Sequence, residues 1–255
     1  MIRFEHVTKA FGSKKVLDDV SFRIHPGETA VVVGLSGAGK SVTLKHMIQL
    51  LTPDSGKIFV NGNETSELCD KRLISMREKF GVLFQGAALL QWMTVRENVA
   101  LPLKEKTDLA DDEIYRRVDE KLALVNLSDA AEKYPSDISG GMQKRAGLAR
   151  AIVTNPEIIL YDEPTSGLDP VTSRRIDHLI IDMQKQLGVT SVVVTHDLHS
   201  ALAIGSRIIM LHGGKIIANA TPAEFIKSEH EIVKSFLESQ FITRKGSWER
   251  EANHE

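Results

Sequence analysis

Cysteine is almost missing from this sequence: Cys69 is the single one in 255 residues. An internal disulfide framework is therefore excluded, and a reducing compartment suits the chain. No apolar run approaches the roughly 18 residues that a membrane-spanning helix needs, so no transmembrane span is expected. The N-terminal Met1-Ile2-Arg3-Phe4-Glu5-His6-Val7 alternates like a strand and lacks the long apolar region of a signal peptide. Neither sign of charge is in excess: 32 Lys and Arg against 34 Asp and Glu leave a formal net charge of −2. That balance supplies no global basic field for a nucleic acid. Internal repeats and low-complexity segments are also absent. What remains, 42% hydrophobic and 26% charged residues, is the makeup of a soluble α/β protein of one large domain or two small ones. The expected location is the cytoplasm, with docking on a membrane protein left open.

The chain is organised around Gly34-Leu35-Ser36-Gly37-Ala38-Gly39-Lys40-Ser41, which fits G-x-x-x-x-G-K-[ST] at every fixed position. Thr29–Val33 before it reads as a buried strand, and the apolar spacing after it as a helix to about Leu51. Glycines let backbone N–H groups turn inward around an anion, and the helix N-terminus adds partial positive charge. Lys40 can reach the β- and γ-phosphates of a nucleotide, and the Ser41 hydroxyl can ligate Mg²⁺.

Taken in order, Ile2–Val7 reads as a strand, Thr8–Gly12 as a turn and Val16–Ile24 as a second strand. Phe11 is either a flat face for adenine or a cap on the edge of the core. Lys57–Val60 begins a hairpin closed by Asn61-Gly62-Asn63. Cys69 to Lys79 is helix-like, and Phe80–Phe84 is a buried strand followed by Gln85, at the place where ligands bind in open α/β sheets. Residues 86–150 look like a helical insertion, with helices over Val95–Leu103, Asp112–Val125 and Gly141–Val153. Within it, the apolar stretch Ala87–Met93 is a partner site if exposed and ordinary core if buried. Ser139-Gly140-Gly141 opens a helix with Ser139 as its N-cap, a second anion-binding helix start.

Asp162 and Glu163 end another buried strand, where two adjacent carboxylates are costly to place without a task. One can hold Mg²⁺ while the other orients or deprotonates water. Ser166–Pro170 is a turn before a helix from about Val171 to Leu187. His196 ends the strand Thr190–Thr195, where a neutral imidazole could donate to a γ-phosphate oxygen. Arg207–Leu211 and Lys215–Ala220 form a final hairpin around Gly213-Gly214.

In this order the motifs resemble the ATP-binding-cassette (ABC) ATPases over roughly residues 2–225. The resemblance implies a P-loop ATPase core with an antiparallel β-subdomain and a helical subdomain, at about residues 86–150 of a domain spanning 1–227. It implies ATP contacts from Phe11, Gly34, Ser36, Gly37, Ala38, Gly39, Lys40, Ser41 and Val42. It also implies contacts from Ser139, Gly140, Gly141 and Asp169 to the nucleotide of a second copy docked head to tail. Mg²⁺ would rest on Ser41, Gln85 and Asp162, and catalysis on Glu163, His196 and Gln85. The usual signature reads Leu-Ser-Gly-Gly-Gln; here Met142 holds the fifth place and Gln143 follows, which leaves the contact of that amide open.

The wording of 32–45, 84–89 and 141–146 is most similar to the ATPase subunit of Mce-type lipid transporters, the Mla phospholipid system in particular. That branch implies a permease on whose inner-membrane cytoplasmic face the chain sits, a small STAS-domain protein, a periplasmic Mce lipid-binding protein and glycerophospholipid cargo. Nucleic acid is not an expected partner. Another ABC importer, for amino acids or metals, shares every catalytic residue. A repair ATPase would need a long coiled coil between Ser41 and Ser139, where no sustained heptads occur. A translation-factor ATPase carries two cassettes. A P-loop kinase or GTPase would leave Ser139-Gly140-Gly141 and His196 without a purpose. The segment 228–255 lies beyond the core. Ile232, Val233, Phe236 and Leu237 follow helical spacing there, and residues 240–250 are either a frayed terminus with incidental apolar residues or a segment that docks, with Trp248 as anchor, on the second ATPase copy or the STAS protein.

Overall fold

The structure is a computed structural model and describes residues 1–242. Of the expected docking segment 240–250, residues 240–242 are described and close helix α9 on their own chain, while the remainder with Trp248 lies outside the described residues. The N-terminal part carries strands β1 (Ile2–Phe11), β2 (Lys14–Ile24) and β3 (Thr29–Val33), helix α1 (Lys40–Met47), strands β4 (Ser55–Val60) and β5 (Asn63–Glu64), helix α2 (Asp70–Glu78) and strand β6 (Phe80–Leu83). Helices α3 (Val95–Lys106), α4 (Asp111–Leu124) and α5 (Gly140–Ile152) follow, then β7 (Ile158–Asp162), α6 (Pro170–Leu187), β8 (Thr190–Thr195) and α7 (Leu198–Ile204). Strands β9 (Arg207–His212) and β10 (Lys215–Ala220) and helices α8 (Pro222–Ile226) and α9 (Glu231–Ser239) complete the described chain.

Two sheets form. An antiparallel one has the order β2-β1-β4-β5, and a second has the order β10-β9-β3-β8-β7-β6, parallel from β9 to β6. The β-branched run of β3 is buried along its whole length, as a central parallel strand must be. Its side chains alternate between two cores. Ala30 and Val32 face the antiparallel sheet, α1 and α2; Val31 and Val33 face the helices α3 to α7. The parallel sheet is thus the middle layer, covered on both sides.

Three expectations shift. Thr8–Phe11 is the end of β1 rather than a turn: Phe11 pairs with Lys14 and the turn is Gly12-Ser13. The Asp54 carboxylate fastens that extension, accepting from the Ala10 N–H and from Lys9 Nζ, both at 2.7 Å. Helix α1 stops at Met47, although apolar spacing continues to Leu51. Gln49 takes a left-handed φ of 53°, and the Leu50 and Gln49 N–H groups return to the carbonyls of Lys45 and His46. This paired closure ends a helix irrespective of what apolar residues follow. The stretch Ala87–Met93 is divided between its two readings: Ala87 and Leu89 are buried, while Trp92 is 73% exposed.

The helical insertion joins the sheet through a close contact of α5 with β6. A Cβ on Gly81 would lie 2.2 Å from the Ala151 carbonyl oxygen, so only glycine lets the two backbones meet. Gly81→Ala is therefore expected to push α5 off the sheet and to lower the unfolding free energy by about 1–3 kcal/mol in urea denaturation.

Candidate functional site

The register of the parallel strands collects the predicted residues along one edge of the sheet. Val33 pairs with Thr195 across β3 and β8, and Asp162 with Val194 across β7 and β8. Leu83 of β6 pairs with Tyr161 of β7. The segments leaving these carboxyl ends are the glycine loop, His196, Glu163 and Gln85, and they emerge side by side.

In the loop, Gly34 lies beneath the Leu211 carbonyl, where a Cβ would come within 2.4 Å of the oxygen. Gly39 has a φ of 105° and precedes α1 with no side-chain cap, which leaves the helix N–H groups facing the loop. The Lys40 side chain is buried and folds back over the loop. Its Nζ donates to the carbonyls of Gly34 at 2.9 Å and Leu35 at 3.2 Å, and lies 3.6 Å from Glu163 Oε1. Ser41 Oγ donates to Asp162 Oδ1 at 2.9 Å.

Glu163 has each carboxylate oxygen assigned, Oε1 to Lys40 and Oε2 to His196 Nδ1 at 2.8 Å. The ring nitrogen beside a carboxylate is the N–H donor, so His196 faces outward through Nε2. A neutral ring so arranged accepts at Nε2, and donation to a phosphate through that atom requires the imidazolium form. Glu163 itself adopts a left-handed φ of 49°, held by its N–H bond to the Val194 carbonyl at 2.9 Å.

Around these groups lies a cavity of about 800 Å³, the size of a small-molecule site. Its walls include the predicted Phe11, Ser36, Gly37, Gly39 to Val42, Gln85, Glu163 and His196, though not Gly34, Ala38 or Asp162, and also Phe236 and Ser239 of α9 and the Gln240 that caps it. Phe11 is half-exposed on the wall, with Lys9 Nζ 5.7 Å from its ring centroid. Magnesium keeps several waters and takes one or two carboxylates plus substrate phosphates. The hydroxyl–carboxylate pair of Ser41 and Asp162, with Gln85 on the same wall, fits that demand. Among the described residues no closed cage of three acidic, histidine or cysteine groups exists.

Ser139, Gly140, Gly141 and Asp169 are not on this cavity. Ser139 caps α5, its Oγ accepting from the Met142 N–H at 3.3 Å. Gly141 packs on Thr172, where a Cβ would come within 2.4 Å of Cγ2. Asp169 caps α6, accepting from the Val171 and Thr172 N–H groups at 3.0 Å. The Thr172 hydroxyl, together with these N–H groups, holds its carboxyl below the ordinary range. Signature and turn therefore form one surface, separate from the glycine loop of the same chain. Gln143 does not replace the missing fifth-position amide, because its Nε2 donates to the Pro135 carbonyl at 2.8 Å.

Lys144 escaped the sequence reading. It lies on α5, is 5% exposed, and its Nζ donates to the backbone carbonyls of Gln85 and, at 3.2 Å, of Glu163. Burial pulls its ammonium below the ordinary value, against the opposing pull of Asp162 and Glu163. Two turns further on, Arg150 donates to the carbonyls of Ala87 and Ala88, both at 2.7 Å. A cation at a helical i+6 spacing carries no motif, so only the fold reveals what the pair fastens. Lys144→Met would leave the Gln85 carbonyl without its donor and the Glu163 carbonyl with the Ser166 N–H alone, and a loss of about 1–3 kcal/mol is expected by chemical denaturation.

A family model described as "ABC transporter" matches residues 17–166. The "Probable ribonucleotide transport ATP-binding protein mkl" of Mycobacterium tuberculosis is 42% identical over 241 residues, 94% of this chain and 67% of that protein. The "Methionine import ATP-binding protein MetN" of Carboxydothermus hydrogenoformans is 41% identical over 224 residues, 88% of this chain and 66% of that protein. The chain spans about two thirds of the length of these relatives. A solved dimeric ATP-binding cassette in a post-hydrolysis state, bound to ADP and Pi, has a TM-score of 0.80 at 35% identity, covering 87% of this chain and 99% of its own. With the phosphate loop, strand-end carboxylates and histidine gathered on one edge, and with these relatives, the chain belongs to the ABC transporter family, as an ATP-hydrolysing cassette.

Proposed function

We propose that the cassette powers phospholipid movement between the two membranes of a Gram-negative cell, seated on the cytoplasmic face of an inner-membrane permease. Its further partners in this reading are a small STAS-domain protein and, indirectly, a periplasmic Mce protein. The observation that carries the reading joins two of the segments whose wording resembles the Mce-type branch. Residues 84–89 and 141–146 fold against each other, through Lys144 on the Gln85 carbonyl. Just beyond, Arg150 bonds Ala87 and Ala88, and Gly147 packs on Ala87. The names of the relatives, ribonucleotide transport and methionine import, keep a small-solute importer as the second reading. Purification of the tagged chain from membranes in mild detergent, with mass spectrometry of what accompanies it, separates the two. A permease with a STAS protein is expected; a solute-importer permease without one would overturn the lipid reading.

In the proposed mechanism the glycine-loop N–H groups and the Lys40 ammonium bind the phosphates, and Phe11 stacks on the base. Ser41, Asp162 and Gln85 would hold Mg²⁺, which would supply charge neutralisation at the phosphate oxygens. Glu163 orients the attacking water and accepts its proton. His196, held at Nδ1 by Glu163, presents Nε2 to the γ-phosphate. Ser139, Gly140 and Asp169 serve the site of a second copy docked head to tail, since they are not on the cavity of their own chain.

Glu163→Gln should keep ATP binding and lower turnover by about 10²-fold or more, because an amide is a poor proton acceptor. Steady-state ATPase and equilibrium nucleotide binding read the two effects, and more than half the wild-type rate would remove Glu163 from the role. Gly140→Asp should spare nucleotide binding to the isolated subunit and block hydrolysis in the assembled transporter, since a carboxylate at an anion site repels the γ-phosphate. Unchanged ATPase in the complex would contradict the head-to-tail dimer.

A further inference from the structure

The cavity wall includes the end of α9, a helix outside the segment matched by the family model. Helix α9 is firmly seated: Val233, Phe236 and Leu237 are buried in the core shared with Val31 and Tyr161. Its end is equally determined. Phe241 takes a left-handed φ of 57°, its N–H returns to the Glu238 carbonyl and the Ile242 N–H to the Leu237 carbonyl, each at 3.0 Å. This paired closure places Gln240 at the C-cap.

From that fixed point the Gln240 amide reaches the segment that carries His196. Its Nε2 donates to the His196 carbonyl at 2.6 Å, and its Oε1 accepts from the Leu198 N–H at 2.8 Å. The two bonds also assign the amide, since a flipped group would set donor against donor and acceptor against acceptor. Leu198 is the first residue of α7, so its N–H has no partner within the helix. The His196 side chain is 62% exposed, and its ring bonds Glu163. The backbone on which the ring stands must therefore be held from elsewhere. On one side Asp197 caps α7 through the N–H groups of His199 and Ser200. On the other side stands Gln240.

We propose that Gln240 is a positioning residue for the ATPase reaction, fixing the backbone at His196 so that the imidazole meets Glu163. The proposal rests on the reading of His196 and Glu163 given above. It makes α9 part of the ATPase site, although it contributes no group to the chemistry.

The test uses the full chain in its co-purified complex, with Gln240→Ala, His196→Ala and the double variant. Gln240→Ala should lower kcat about tenfold and leave KM for ATP within about twofold. The double variant should turn over like His196→Ala alone, within about twofold, because a residue acting through another has nothing left to act on. Gln240→Glu keeps the acceptor for Leu198 and loses the donor to His196. It should therefore also lose turnover, and it carries the test if Gln240→Ala does not fold. If His196→Ala retains wild-type turnover, the reading of His196 fails and the proposal with it. If His196→Ala is impaired while Gln240→Ala is not, or if the double variant falls by the product of the two single losses, the positioning role is overturned and the reading of His196 stands.

Discussion

The structure depends most on the register of three parallel strands. β3, β8 and β7 lie side by side, and their pairing sets Val33 against Thr195 and Val194 against Asp162. A slip of one residue would turn every side chain of a strand to the opposite core. Both cores are apolar, so such a slip would exchange Val31 and Val33 for Ala30 and Val32 in fully packed surroundings. The flush ends follow from that packing. Lys40, Glu163 and His196 meet because three hydrophobic runs, far apart in the chain, have a single way to fit.

Helix α5 carries this order across to the helical insertion. Its N-terminus presents Ser139 and Gly140, while its inward face holds Lys144 and Arg150 on the carbonyls of the segment that leaves β6. A buried cation such as Lys144 is costly unless hydrogen-bonded, and here it and the half-buried Arg150 are satisfied by backbone oxygens of that segment. The same segment holds Ala87 and Ala88 at left-handed φ values of 58° and 51°. For alanine that conformation costs on the order of 1–2 kcal/mol per residue, so it persists where the surroundings enforce it. Arg150 bonds both of these carbonyls. The loop after Gln85 is thus held in a strained shape by the helix that presents the signature.

Much of this was legible in the sequence, for identifiable reasons. The glycine loop, the strand-end acids and the histidine were readable because each ends a hydrophobic run, and in parallel sheets the carboxyl end is where function gathers. Helix caps were readable where a short polar side chain carries the signal, as at Ser139. What escaped were contacts whose partner is a backbone atom far off in the chain. Nothing in Lys144 names the carbonyl of Gln85, and nothing in Gln240 names His196. The end of α1 escaped for a local reason: Gln49 adopts the left-handed conformation without being glycine, and Leu50 just beyond it is exposed rather than part of a helix's buried face.

The conformation of Glu163 ties these observations together. A non-glycine residue at φ 49° gives up stability that its surroundings must return. They do so from every side: the N–H is held by Val194 of β8, the carbonyl by Lys144 of α5, and the two carboxylate oxygens by Lys40 and His196. Each partner comes from a different part of the chain, namely the central sheet, the signature helix, the phosphate loop and the segment tethered by α9. A change in any one of them therefore reaches the same carboxylate. The strained Glu163 is thus the point at which the central sheet, the phosphate loop, helix α5 and the segment of His196 make contact with one residue.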